Sequence, residues 1–150
     1  MANTYTQLYV QIVFSVKNKD CLIEESFREE VQKHISEIIS NRKCKLYAIY
    51  INPDHAHIFV SMKPYLSLSD LVRAIKAVSS KYINEQGFTS GRFQWQDGFG
   101  AFTYSHSQLM SVVHYIHNQP AHHENRGFKE EYIDFLQKFS IEFDERYLLD

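Results

Sequence analysis

The sequence predicts an α+β fold, one antiparallel sheet carrying helices, and three observations lead there. Residues 5–16 and 55–62 alternate apolar and other side chains with period two. Residues 24–40 and 67–82 repeat their apolar positions with helical period. Strands and helices then follow one another as β-α-β-β-α-β, which is the ferredoxin-like plan with both helices on one face of the sheet. Two additional C-terminal helices follow those six elements.

Each element has its own signal. Along 5–16, Leu8, Val10, Ile12, Phe14 and Val16 share one face, and Gln7, Tyr9, Gln11, Val13 and Ser15 the other. Such a strand is buried on one side and half-polar on the other. Over 24–40, Phe27, Val31, Ile35 and Ile38 form a stripe, with Glu24 and Glu25 where the helix dipole favours acids. Residues 45–51 (KLYAIYI) read as a second strand, Asn52-Pro53-Asp54 as a turn, and 55–62 (HAHIFVSM) as a third strand. Ser67 and Asp70 resemble a capping box opening a helix striped by Leu68, Leu71, Val72, Ile75 and Tyr82. A glycine-rich connection, 87–101, surrounds Trp95 and leads to a short strand near 101–105. Leu109, Val112, Val113 and Ile116 predict a helix over about 106–119, and Phe128, Tyr132, Phe135, Leu136 and Phe139 another over about 128–139.

Composition narrows the function classes. A chain of 150 residues suits one domain, 1–150, and 44% hydrophobic residues suffice for a core. Cys21 and Cys44 have no CxxC spacing, which argues against a disulfide framework or zinc site and fits a reducing cytoplasm. The opening residues are patterned as a strand rather than a signal peptide, and no run approaches the roughly 18 to 20 apolar residues of a membrane helix. Net charge is −2, yet residues 41–104 hold eight Lys/Arg against four acids while 105–150 hold four against eight. Arg73, Lys76, Lys81 and Arg92 in that basic middle are candidate phosphate contacts.

Two constellations carry chemistry. His55 and His57, two apart on a strand, point to the face opposite Ala56, Ile58, Val60 and Met62, the face the first two helices leave free. Two imidazoles one pleat apart can share a metal ion. Tyr115 and Gln119, four apart in VVHYIHNQ, lie on one side of a helix at the flank of its apolar stripe. By spacing alone, hydrogen-bonded surface histidines and a boundary tyrosine remain open.

In order along nearly the whole chain stand YTQLYVQIVFSVK, PDHAHIFV, LSDLVRAIKAVSSKYI, FQWQDGFGAFTYS, HYIHNQPAHH and IEFDERYLL. This succession resembles the HUH-superfamily single-tyrosine transposases, the TnpA type of the smallest bacterial insertion sequences. The resemblance implies the ferredoxin-like fold, a homodimer formed by joined sheets, and a divalent metal, Mg²⁺ or Mn²⁺, with no nucleotide cofactor. It makes His55, His57 and Gln119 the metal ligands. It makes Tyr115 the nucleophile that forms a 5′-phosphotyrosine on hairpin-bearing single-stranded DNA. Two positions depart from the family pattern: Ala56 is smaller than the bulky apolar residue usual there, and Pro120 follows Gln119 directly. Proline disfavours helical geometry in the preceding residue, so the tyrosine helix is expected to kink or end at Gln119.

Three other readings compete. One is a domesticated relative associated with repeated extragenic palindromes, and another a non-catalytic single-stranded nucleic-acid binder on the same sheet. The third, a histidine phosphodiesterase, calls for a second histidine motif on another strand, which is not found. Trp95 and Phe99 suit either base stacking or anchoring of their own loop, and Asp144 with Arg146 suits an ion pair that docks the tail.

Overall fold

The computed structural model describes residues 3–17, 21–122 and 126–149. Its elements are β1 (Tyr9–Ser15), α1 (Glu25–Asn41), β2 (Lys45–Ile51), β3 (His55–Ser61), α2 (Leu68–Gln86), β4 (Gly100–Tyr104), α3 (Leu109–His117), α4 (Gln119–His122) and α5 (Phe128–Lys138). Short 3₁₀ turns precede α3 and close the tail. The sheet order is β2-β3-β1-β4, with every neighbouring pair antiparallel. This is the ferredoxin-like order. β1 is shorter than its apolar alternation suggests, because residues 3–8 are exposed and lie outside the ladder.

The alternation of β1 and β3 decides everything else. Val10, Ile12, Phe14 and Val16 join Ala56, Ile58, Val60 and Met62 in one cluster with Val31, Ile35 and Ile39 of α1 and Leu71, Val72, Ile75 and Ile83 of α2. Ser67 caps α2 as the sequence suggests, its hydroxyl accepting from the Asp70 amide at 3.0 Å, and Gly87 ends that helix at φ 67°. Trp95 anchors its own loop: its indole nitrogen donates to Ser79 Oγ at 2.9 Å and its ring meets Phe14 and Phe93 edge-on. Both cysteines are buried free thiols.

The opposite face is not left to solvent. Val13 and Phe102 pack against Phe128, Tyr132, Phe135 and Leu136 of α5, while Ala48 and Phe59 pack against Val112 and Ile116 of α3. The sheet is thus the middle of three layers, and its two central strands, β1 and β3, are buried along almost their whole length. A Lys129–Glu145 pair at 3.2 Å and Leu148 and Leu149 against the α5 cluster hold the tail down, beside an Arg146–Asp144 pair within it. Among the described residues, no helix is long and apolar enough to cross a membrane.

The close approach of α5 to β4 depends on Gly100. A Cβ there would lie 2.6 Å from Tyr132 Cε1 and 2.9 Å from its hydroxyl. Tyr132 is buried and cannot swing away, so Gly100→Ala is expected to lower the unfolding free energy by about 1–3 kcal/mol in urea titrations, the usual cost of overpacking.

Candidate metal and tyrosine site

β3 brings His55 opposite Ser15 and His57 opposite Val13, so both imidazoles project between the sheet and α5. They are buried, 1% and 0% exposed. Their rings meet edge-on with centroids 5.1 Å apart, and His55 stacks on Phe128 at 4.2 Å. Their Nε2 atoms converge on one carboxylate oxygen, Glu131 Oε1, at 3.4 Å from His55 and 2.9 Å from His57. Glu131 is itself 0% exposed. One ligand atom from each of the three lies within 4.8 Å of the other two.

The outer edges of the rings are equally defined. His55 Nδ1 donates to Asp54 Oδ1 at 2.6 Å, and Asn52 Nδ2 faces its Nε2 at 3.0 Å. The Asp54 carboxylate fixes one proton on Nδ1; the inward Nε2 then presents its lone pair to a metal or, in the charged ring, a second proton to Glu131. His57 Nδ1 faces Gln11 Nε2 at 3.0 Å, and the Gln11 carbonyl accepts from the Tyr104 hydroxyl at 2.8 Å. Turning the Gln11 amide over would give His57 the same inward lone pair, since a tyrosine hydroxyl serves as donor or acceptor. Burial disfavours the charged form of His55, but hydrogen bonds and charge from Asp54 and Glu131 outweigh it and raise its pKa. Two imidazoles and a carboxylate form a donor set that can hold a divalent cation.

Tyr115 and Gln119 reach the same place from α3 and α4. The Tyr115 hydroxyl donates to Glu131 Oε2, the oxygen turned away from the histidines, and its ring is 6.0 Å from His57. Burial, then the hydrogen bond and charge of Glu131, push the tyrosine pKa well above its ordinary value, against weaker pulls from Gln119 and Arg126. α3 does end before Pro120, with Asn118 as its C-cap, yet Gln119 is fully buried. Its carbonyl accepts from Asn52 at 3.2 Å, and its amide lies 3.4 Å from Glu131 Oε2 and 3.5 Å from the Tyr115 carbonyl. The third group turned directly on the histidines is therefore Glu131, with Gln119 beside it.

Sequence reasoning passed over Glu131. Its signal was an acid inside the apolar stripe Phe128, Tyr132 and Phe135 of α5, a place where a carboxylate needs partners. Arg73, Lys76, Lys81 and Arg92 lie away from this site, on two adjoining hollows along α2.

Residues 4–119 match the family described as Transposase IS200 like. The chain belongs to that family. The match spans His55, His57, Tyr115 and Gln119 and stops short of Glu131. No curated protein matches the sequence. Among solved structures, the chain is similar to a candidate transposase from Deinococcus radiodurans R1, with a TM-score of 0.60 and 17% identity over 79% of this chain and 95% of that one. It is also similar, with TM-score 0.60 and 17% identity over 82% of this chain and 73% of the other, to the REP-associated tyrosine transposase bound to a REP hairpin. At that identity the two structures support the fold, and the family match supports a DNA transposase.

Replacing Glu131 with Gln keeps the shape and removes the charge beneath both imidazoles. Mn²⁺ affinity measured by calorimetry is expected to fall at least about tenfold in Glu131→Gln, in the range seen when groups around a metal are altered.

Proposed function

We propose that this IS200-like transposase cuts and rejoins single-stranded DNA through a 5′-phosphotyrosine on Tyr115. The observation that carries this reading is the shared carboxylate: Glu131 turns one oxygen to His55 and His57 and the other to the Tyr115 hydroxyl. A divalent cation, Mg²⁺ or Mn²⁺, held by His55, His57 and Glu131 with Gln119 beside them, would polarise the scissile phosphate. The chain's own residues supply the remainder. Glu131 Oε2 already accepts the phenolic hydrogen and stands ready to take the proton as the phenolic oxygen attacks phosphorus. The new O–P bond replaces the P–O3′ bond, and the departing 3′-oxygen takes up a proton. A second 3′-hydroxyl attacking the phosphotyrosine reverses these steps and joins the strands without ATP. Asp54 and Gln11 hold the imidazoles at their outer nitrogens, so the inner ones stay aimed.

The substrate we propose is a hairpin-bearing single strand, the class held by the REP-associated neighbour. Its phosphates run along the exposed side of α2. Hollows of about 490 and 710 Å³ meet there at Ala77, Ser80 and Gln94 and carry Lys17, Arg73, Lys76, Lys81 and Arg92 against Asp97 and Glu85. Lys76 braces the wall: its ammonium donates to the carbonyls of Gln96 at 2.8 Å and Gly98 at 2.6 Å. Burial, opposed by Asp97, draws its pKa down to about 8, so it still carries charge at neutral pH. The Gln96 end of this groove is hydrogen-bonded to Ser15, the strand partner of His55. The proposal includes a homodimer of 1–150 units and a cytoplasmic setting, in keeping with the buried free thiols.

Wild-type protein incubated with Mg²⁺ and single-stranded DNA from the flanks of its gene is expected to form a denaturation-resistant adduct that Tyr115→Phe does not form. An adduct that survives in Tyr115→Phe would reject the nucleophile assigned here. The triple variant Arg73→Gln, Lys81→Gln, Arg92→Gln is expected to reduce the slope of log affinity against log salt by about 0.7 per charge, roughly 2 in all. Fluorescence anisotropy reads this directly.

A further inference from the structure

Tyr115 is half-buried, and what lies over its exposed side is unassigned by the chemistry above. α3 and α5 do not close over the ring. They leave two chambers that share Tyr115, Phe135 and Lys138 as common walls. The smaller, about 120 Å³, adds Arg126, Glu131 and Asp134. It therefore touches both the nucleophile and the carboxylate of the metal-competent cluster, with a guanidinium at its rim. Arg126 pairs with Asp134, which fixes it there. The larger, about 260 Å³, adds Tyr104, Gln108, Ser111 and Val112.

The two chambers differ in chemistry as the parts of a nucleotide differ. The small one reaches the reacting oxygen and sets the cations Arg126 and Lys138, which suit a phosphate, against the carboxylates Glu131 and Asp134. The large one is mostly apolar, walled by Tyr104 and Phe135, with the amide of Gln108 and hydroxyl of Ser111 at its edge. Its volume falls just under the roughly 300–1,000 Å³ of small-molecule pockets, the size for a single nucleoside rather than a length of strand. Aromatic walls with a few polar groups are how proteins hold an unstacked base. Lys138 is the one cation among the three walls the two chambers share.

On the reading of Tyr115 as nucleophile, we infer that the α3–α5 cleft is a nucleotide-binding subsite: the scissile phosphate enters beside Arg126, and the base of an adjoining nucleotide unstacks into the chamber of Tyr104, Ser111, Val112 and Phe135. The cleft thereby reads or orients one nucleotide at the cut, separately from the phosphate contacts along α2.

The test is an abasic scan. Oligonucleotides from the gene's flanks, each lacking one base at successive positions, are titrated by fluorescence anisotropy against Tyr115→Phe protein with Mg²⁺, which leaves the DNA intact. Removing the base at one position is expected to weaken binding roughly tenfold, the effect of one lost base–aromatic stack. Ser111→Val and Ser111→Leu, at an exposed helix position, fill the chamber in two steps. Each is expected to weaken binding of intact DNA and to erase the penalty at that same position, with far-ultraviolet circular dichroism unchanged. A scan with no sensitive position, or Ser111 variants that keep the wild-type profile, overturns the subsite. Adduct mapping in wild type then locates the cut, and a sensitive position remote from it also overturns the proposal. Absence of any adduct would instead count against Tyr115 as nucleophile, while the binding scan still reads the chamber.

Discussion

A carboxylate sealed from water must be matched on both of its oxygens, and Glu131 is the residue around which this protein is arranged. It is 0% exposed in the middle of an apolar helix face. Isolated burial of such a charge is prohibitively unfavourable, so its position is tolerable only because two imidazoles meet one oxygen and a phenol and an amide approach the other. That requirement couples three separate pieces of chain. β3 must present its histidines, α3 its tyrosine, and α5 its glutamate, all at one point. Loss of any one takes a partner from a buried polar cluster that has little access to water.

The central sheet makes the meeting possible because its two faces do different work. One face is a continuous aliphatic layer under α1 and α2, which supplies a rigid base without any functional side chain. The other mixes apolar anchors such as Val13, Phe59 and Phe102 with His55, His57 and Gln11. A strand's strict alternation lets one sequence serve both, since each residue's neighbour belongs to the opposite layer. The histidines consequently gain the positional precision of a core, and the chains Asp54–His55 and Tyr104–Gln11–His57 set which nitrogen faces inward.

A buried cluster beside a half-buried tyrosine raises a problem of access, and the packing of α3 and α5 answers it. The helices bury their apolar stripes against the sheet but part on the solvent side of Tyr115, leaving the ring as a boundary between the inner cluster and the outer cleft. The tyrosine hydroxyl thus reaches a cluster shielded from water while one side of its ring stays open to the cleft. Shielding strengthens every electrostatic contact made there, including that of Glu131 on the phenol.

Local periodicity was enough to read the α+β class, the ferredoxin-like order and the two-faced character of β1 and β3 from the chain, because these depend on side-chain alternation that neighbouring residues carry themselves. The same rule put His55 and His57 on one face opposite the aliphatic core. Tyr115 and Gln119 were legible mainly through ordered resemblance, as a tyrosine flanking an apolar stripe carries no distinctive local signal. Only tertiary structure decided that α3 and α5 cover the histidine face, that Gln119 stays buried although its helix breaks before Pro120, and that Lys76 braces a loop. Glu131 belongs to the same class: 74 residues separate it from His57, and the contact exists only once α5 has docked on the sheet. Sequence records which residues can share a face of one element; which faces meet is settled by how the elements bury their apolar surface together.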